Sequence, residues 1–126
     1  MKKGLLIIVA IVTAVVLTSC AGSKQKQAQP EKTLRVSYQL KHENKELAKK
    51  TVTVKKGANV LQGLKKAWNV KTEKQMVTEI KGHAQNPDLD EYWVYEVNGK
   101  EAKKGVTEQK LHNNDHIVFI LKDISK

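Results

Sequence analysis

Apolar side chains in the first half of this chain recur first with the period of a strand and then with that of a helix. Residues 34–40 alternate between apolar and polar side chains, the pattern of a half-buried strand. Residues 42–48 are polar and predict a turn region, and residues 51–54 alternate valine with threonine. The two alternating runs therefore predict a β-hairpin that begins at Thr33.

A short amphipathic helix is predicted directly after this hairpin. Gly57 breaks the second strand, and Asn59 fits the N-cap position, because its side-chain oxygen can accept a first-turn amide. Five apolar residues then share one helical stripe, namely Val60, Leu61, Leu64, Ala67 and Trp68. The stripe spans about ten residues and needs a sheet to pack on, since so short a helix is unstable alone.

The second half of the chain has strand signals separated by turn signals. Residues 76–80 predict a strand weakly, and residues 82–91 predict a loop because they contain Gly, Asn-Pro and three acids. Residues 92–97 are rich in strand-forming side chains, and Asn98-Gly99 favours a type I′ turn. Residues 117–121 are continuously apolar, as expected for a central strand.

The order strand, strand, helix and then about three strands predicts an α+β fold. We expect a β-grasp-like mixed sheet of about five strands with one short helix packed across it. The first and last strands would be parallel central neighbours, because the helix between the hairpins permits that crossover. This single domain would occupy residues 33–126, which is enough chain for one small core.

The N-terminus has the features of a secretion signal that ends at a cysteine. Lys2 and Lys3 precede an apolar run, residues 5–17, that is too short to span a bilayer as a stable helix. The run closes on Leu-Thr-Ser-Cys20, which resembles the lipobox of bacterial lipoproteins. The resemblance implies a signal peptide over residues 1–19, a diacylglycerol (with fatty acids such as palmitate) on Cys20, and an extracytoplasmic, membrane-anchored protein. An uncleaved signal anchor is the alternative.

The segment between Cys20 and the predicted domain carries no large apolar side chain up to residue 32. Such a segment cannot bury enough surface to offset its ordering entropy, so residues 20–32 are predicted to be the lipidated cysteine and a flexible tether. Cys20 is also the only cysteine. The domain therefore has no disulfide, although the compartment would permit one.

The chain is basic, with a formal charge of +10, which becomes +8 if residues 1–19 and their two lysines are removed. Arg35 is the only arginine, and the lysines are spread along the chain. Nucleic acid is not an expected partner, because its readers depend on arginine for bidentate contacts. A solvated surface is the simplest explanation, and a weak attraction to anionic lipids or wall polymers would be compatible with it.

No catalytic residues or metal ligands are predicted. Ser37 and Ser125 lie in no recognisable motif, and Asp88, Asp90 and Glu91 lie in a charged loop without a sign of a dry cleft. We therefore expect no enzyme activity.

The four histidines have no metal-site spacing, and His42 and His83 stand alone. One alternative is that His112 and His116 bind zinc with Asp115, if the turn folds the three together.

Several motifs together resemble the transcobalamin-like C-terminal domain family. They are a Val60-Leu61-x-x-Leu64 helix, a Trp93-x-Tyr95-x-x-Asn98-Gly99 hairpin, Gly105-Val106, and an Asn-Asn-Asp-His turn over residues 113–116. The resemblance covers most of residues 33–122 and extends to the C-terminal ends of animal cobalamin carriers. In those carriers the small domain closes over cobalamin held by a larger helical barrel, for which this chain has no room.

The resemblance implies a binding module for a small, planar, cobalamin-like ligand, with no cofactor of its own. Tyr92, Trp93 and Tyr95 are the candidate contacts, with His83 in the preceding loop. The structural alternative is that Trp93 and Tyr95 are core residues packing on the helix near Leu64 and Trp68. Rival functions are a module that binds a protein or wall polymer, for example by strand addition, and an accessory of a surface transporter.

Overall fold

The computed structural model describes residues 33–126, so the predicted signal peptide, Cys20 and the tether lie outside the described residues. In chain order the elements are β1 (Thr33–His42), β2 (Lys45–Lys55), α1 (Val60–Ala67), β3 (Val70–Glu73), β4 (Met76–Ile80), β5 (His83–Ala84), a 3-10 helix (Pro87–Leu89), β6 (Glu91–Val97), β7 (Lys100–Glu101) and β8 (His116–Asp123). Within this range, no helix has the length and apolar character needed to cross a membrane.

The strands form one mixed sheet of five strands, in the order β2-β1-β8-β6-β7, and a smaller sheet of three, β3-β4-β5. The first and last strands pair in parallel, from Ser37 opposite His116 to His42 opposite Leu121. The predicted α+β class, the five-stranded sheet and the parallel central pair are confirmed. The smaller sheet was only partly predicted, because β3 is polar and exposed.

The first hairpin is tighter than predicted. Strands β1 and β2 are joined by the two residues Glu43 and Asn44, whereas the sequence predicted a turn region over residues 42–48. Early β2 lies at a sheet edge and is mostly polar, and it continues the backbone pairing with β1 although only Leu47 and Ala48 there pack partly against the core. Gln39 and Glu46 also bond across the strands at 2.6 Å.

Helix α1 and the smaller sheet share the inner face of the main sheet. Helix α1 begins at the predicted N-cap, where the Asn59 side chain accepts the Gln62 amide and the Gln62 side chain accepts the Asn59 amide. The helix packs over β1 and β2, whereas β4 contacts β6. The helix and the smaller sheet thereby bury one continuous core.

Tyr38 of β1 lies fully buried beneath the helix. Its hydroxyl donates to the Val60 carbonyl at 2.8 Å, and a methyl group on Gly63 would overlap that hydroxyl. Burial, with a smaller contribution from the Asp115 carboxylate, raises the pKa of Tyr38 well above its ordinary range. The helix can approach the sheet this closely because position 63 has no side chain.

A turn before β8 ties the end of the chain to its beginning. The Asn113 side chain accepts the Arg35 amide at 2.9 Å, and the Asn114 amide donates to the Arg35 carbonyl at 2.7 Å. One residue pair further along, the Ser37 amide donates to the Asp115 carbonyl at 3.0 Å. These bonds extend the parallel ladder below its first paired residues.

The same turn is bonded to the Asn98-Gly99 hairpin. Both hairpin residues have positive φ, 53° and 84°, as a type I′ turn requires. The Asn98 side chain accepts the His116 amide at 2.8 Å and donates to Asp115 Oδ1 at 2.9 Å. Asp115 is 6% exposed, and its second oxygen accepts the His112 amide at 2.7 Å. We call Asn98 and residues 112–116 the turn clamp.

Gly63→Ala is expected to destabilise the protein by up to about 2 kcal/mol, although alanine is the better helix former. Overpacking a core costs about 1–3 kcal/mol, whereas alanine gains roughly 1 kcal/mol over glycine in a helix. Urea unfolding followed by circular dichroism measures the difference. Lys65→Ala, on the exposed side of the same helix, is the control and should change stability by less than about 0.5 kcal/mol. A Gly63→Ala variant as stable as the parent would contradict the close contact with Tyr38.

Asn98→Gly is expected to lower the free energy of unfolding by about 1–3 kcal/mol. Glycine keeps the positive φ of the turn, so the loss reports the two side-chain bonds and the buried Asp115 oxygen left without its donor. Asn98→Ala should cost roughly 1 kcal/mol more, because its Cβ opposes the positive φ. Equal stability of Asn98→Gly and the parent in denaturant titrations would show that the turn clamp contributes nothing.

Candidate ligand-binding surface

Two aromatic side chains of β6 form the floor of this surface. Trp93 and Tyr95 are 9% and 8% exposed, so both are core residues as the structural alternative predicted. Their partners differ from the predicted ones, because α1 lies over β1 and β2 while β6 is on the far side of β8. They border Val77 of β4 and Val106 instead.

Hydrogen bonds and stacking hold both rings in place. The Trp93 indole N–H donates to the His83 carbonyl at 3.0 Å, and the Trp93 amide donates to the Gln85 side chain at 3.0 Å. Tyr95 stacks on Phe119 with 5.1 Å between ring centroids, and its hydroxyl donates to the Lys104 carbonyl. Burial, followed by the nearby Glu108 carboxylate, raises the pKa of Tyr95. The floor is therefore rigid, and the phenol stays neutral at physiological pH.

Met76 stands above this floor with 68% of its surface exposed, and a hollow lies on each side of it. The first hollow is apolar and measures about 140 Å³. Its lining comprises Gln75, Met76, Val77, Trp93, Tyr95, Gly105, Val106 and Phe119. The second hollow measures about 300 Å³ and is lined by Glu73, Lys74, Met76, Thr78, Gln85 and Tyr92. We call Met76 and the two hollows the Met76 surface.

The local backbone explains why a large apolar side chain is exposed here. Lys74 and Gln75 both have positive φ, 52° and 68°, in the tight turn between β3 and β4. Met76 is the first residue of β4, at the tip of this hairpin. A methionine is flexible and polarisable, so it can adapt to different apolar surfaces. The arrangement offers an adjustable side chain above a fixed aromatic floor.

The structure brings together three of the four residues that the sequence proposed as ligand contacts. Trp93 and Tyr95 line the first hollow and Tyr92 lines the second. His83 has an exposed side chain that lines neither hollow, and it contributes only its carbonyl to Trp93. A binding role for these four residues stays a prediction. Sequence reasoning missed Met76, whose only signal was an apolar residue directly after a polar turn.

The candidate zinc ligands are not gathered around one point. His112 Nδ1 lies 3.7 Å from Asp115 Oδ2, but His116 Nδ1 bonds the Ser37 hydroxyl at 2.6 Å. Residues 33–126 contain no group of three or more histidine, cysteine or acidic residues placed to hold a metal ion. Both Asp115 oxygens accept hydrogen bonds within the turn clamp, one from the Asn98 side chain and one from the His112 amide. The carboxylate therefore does not hold the His116 ring. His42, for which the sequence suggested no partner, has its Nε2 atom 3.0 Å from Oε2 of Glu91.

Two solved structures share this fold. Haptocorrin, solved in complex with Cbi, aligns with a TM-score of 0.62 at 19% identity, covering 74% of this chain and 26% of haptocorrin. A protein from Ruminococcus gnavus ATCC 29149, to which metal binding has been ascribed, aligns with a TM-score of 0.54 at 10% identity. That alignment covers 71% of this chain and 96% of the other. This chain thus spans about a quarter of haptocorrin, and at these identities the similarity concerns the fold.

Sequence comparison gives a family assignment. No curated protein sequence matches the chain. A family model described as a domain of unknown function, DUF4430, matches residues 57–123, which is more than half of the chain and includes helix α1, the Asn98-Gly99 hairpin and the turn clamp. Together with the haptocorrin-like fold, this confirms the resemblance drawn from the motifs. The chain belongs to the DUF4430 family.

Proposed function

We propose that this protein is a membrane-anchored, extracytoplasmic binding module whose Met76 surface takes a small molecule with a broad, planar ring system. A cobalamin-like ligand is the leading candidate. The observation that carries the proposal is the exposure of Met76, at 68%, directly beside a hollow floored by Trp93 and Tyr95. A contiguous exposed apolar surface marks interaction sites, whereas single exposed apolar side chains are ordinary, and Met76 is continuous with the apolar lining of this hollow.

The shape of the surface favours a ligand that lies on it and is not enclosed by it. Sites that enclose a small molecule usually measure about 300–1,000 Å³, whereas the apolar hollow measures about 140 Å³. A planar ligand would rest one face on Met76 and the neighbouring rings and leave the other face free. We therefore expect modest affinity for the isolated protein.

Because one face of such a ligand would stay free, we infer that this protein captures the ligand together with a second protein or hands the ligand over to it. Haptocorrin was solved with Cbi, and the part of it that resembles this chain is about a quarter of its length. The remainder of a complete binding site would have to come from elsewhere. A surface transporter or another envelope protein is the partner that this division of the site implies.

The membrane anchor in this proposal rests on Cys20 and the sequence before it. Two acyl chains hold a protein on a bilayer where a single chain would exchange. Attachment would keep a weak binder close to a transporter in the same membrane. Capture of a dilute ligand would then depend on local concentration as well as on intrinsic affinity.

Strand addition by a peptide has less support than ligand capture. The main sheet has two edge strands: β7 has only two residues, and β2 carries several lysines, and both a very short edge strand and charged edge residues discourage pairing with another strand. Lys66 of the helix also donates to the Thr53 carbonyl of β2 at 2.8 Å. An added strand would have to displace that ammonium group.

Titration of the full-length protein with cyanocobalamin is expected to quench tryptophan fluorescence saturably in the micromolar range. A Trp68→Phe background leaves Trp93, at the floor of the first hollow, as the reporter. Met76→Lys should weaken binding by about tenfold or more, since it replaces an apolar contact with a solvated charge.

The matched control is Ile124→Lys, because Ile124 is similarly exposed, at 54%, and lines neither hollow of the Met76 surface. Its binding curve should equal that of the parent. A linear, unsaturated titration for the parent, after correction for ligand absorbance, would reject a corrinoid as the ligand. Equal weakening by both lysine variants would reject the Met76 surface.

Cys20→Ala is expected to abolish lipid attachment, which metabolic labelling with a fatty acid measures directly. Inhibiting the lipoprotein signal peptidase in cells that make the parent should leave a longer precursor, longer by the residues before Cys20. Equal fatty-acid labelling of the parent and the Cys20→Ala variant would remove the anchor from the proposal. The ligand titration would stand independently of that result.

A further inference from the structure

The positive charge of the described residues is concentrated in one segment, although lysines are spread along the whole sequence. Residues 45–71 contain eight lysines and one acid, a formal charge of +7. The remaining described residues contain ten basic and eleven acidic groups. All of the excess positive charge therefore lies on β2, helix α1 and the start of β3.

The C-terminal end of the helix in this segment forms an open groove together with Lys81 and Gly82, which follow β4. The groove measures about 560 Å³ and is lined by Lys65, Lys66, Ala67, Trp68, Asn69, Lys81 and Gly82. Lys50 also reaches it, because its ammonium group donates to the Ala67 carbonyl at 3.2 Å. We call Lys50, Lys65, Lys66, Lys81 and Trp68 the basic groove.

The groove has ammonium groups in fixed positions without acidic partners close by. Bonds to the Ala67 and Thr53 carbonyls hold Lys50 and Lys66, and each ammonium group keeps further N–H donors for another acceptor. Within residues 33–126, the three close contacts between a basic or histidine side chain and a carboxylate involve other residues. Trp68 lies half-buried between the lysines, and tryptophan beside lysine is typical of surfaces that meet a membrane interface.

We propose that the basic groove docks on the phosphate headgroups of an anionic lipid bilayer. The inference rests on the proposed anchor, which would hold the domain next to such a surface. The charge complementarity favours this occupant, because a broad open groove bordered by Lys50, Lys65, Lys66 and Lys81 suits a sheet of phosphates better than one small anion. Docking would place the β2 and helix side against the membrane. Met76 begins strand β4, whereas Lys81 of the basic groove directly follows the last residue of that strand, so the Met76 surface lies at the far end of β4 and would stay clear of the docked lysines.

Lysine-specific acetylation with peptide mapping tests this orientation on the intact lipidated protein. The protein is reconstituted in vesicles of phosphatidylcholine alone and in vesicles of equal parts phosphatidylcholine and phosphatidylglycerol. We expect Lys50, Lys65, Lys66 and Lys81 to lose reactivity only in the anionic vesicles. High salt should restore it, because exposed charges are screened. Lys103, Lys104 and Lys122 are exposed lysines of other segments and serve as internal controls that stay reactive.

A double variant distinguishes docking through the basic groove from nonspecific attraction between the basic protein and the anionic vesicles. Lys65→Gln with Lys81→Gln should abolish the protection of Lys50 and Lys66 in anionic vesicles, whereas Lys103→Gln with Lys104→Gln should leave it intact. Equal reactivity of the groove lysines in both vesicle types would overturn the proposal. Equal protection of the control lysines in anionic vesicles would also overturn it. Protection of the groove lysines by inorganic polyphosphate added to neutral vesicles, without protection in anionic vesicles, would overturn it as well.

Flotation with the neutral vesicles reports the anchor separately from the groove. If the protein failed to float with them, the anchor would be wrong, and the same acetylation would be run with anionic vesicles added to the free protein. Protection of the groove lysines there would still support headgroup docking. Full reactivity there would overturn it.

Discussion

The parallel pairing of the first and last strands is the constraint on which the rest of this fold depends. Strands β1 and β8 lie at the two ends of the described chain, so helix α1 and the smaller sheet must carry the chain across one face of the main sheet, from β2 at one edge to β6 beyond β8. The pair is bonded at both limits. The Ser37 amide donates to Asp115 at one end, and the Glu43 amide donates to Leu121 at the other. The turn clamp closes the first of these ends around a buried carboxylate.

The parallel pair has different strands on its two sides within the main sheet. Next to β8 in the sheet lies β6. Its Tyr95 ring stacks on Phe119, and the Trp93 indole and the Tyr95 hydroxyl each donate to a main-chain carbonyl. Beyond β1 lies β2, which with the helix carries the excess of lysine. The Met76 surface and the basic groove lie at opposite ends of strand β4, since Met76 begins this strand and Lys81 follows it. The proposed ligand contact and the proposed membrane contact therefore do not overlap.

The sequence predicted the elements that have a regular apolar period and a strong capping or turn signal. The helix N-cap at Asn59, the type I′ turn at Asn98-Gly99 and the parallel pair of end strands are confirmed. The polar strands were harder to predict. Early β2 and β3 are held by backbone pairing at sheet edges, and their side chains give little period for a prediction to use.

The candidate site was predicted only in part for a related reason. Aromatic residues on β6 are visible in a sequence, but their neighbours depend on the order of strands, which placed Val77 and Val106 beside them and the helix elsewhere. The asparagine and aspartate of the family motifs are now explained as mutual partners in the turn clamp. Met76 became a candidate only when the hairpin tip was seen above the hollow.

Hydrogen exchange of the full-length protein, with and without cyanocobalamin, measures most directly whether the Met76 surface is the ligand site and the turn clamp is structural. We expect slower exchange at the amides of residues 74–77, 92–95 and 105–106 when the ligand is present. We expect unchanged exchange in residues 112–116, which should be slow in both states. Ligand protection centred on residues 112–116, or on the lysine-rich helix end with none at residues 74–77, would contradict the Met76 surface as the ligand site.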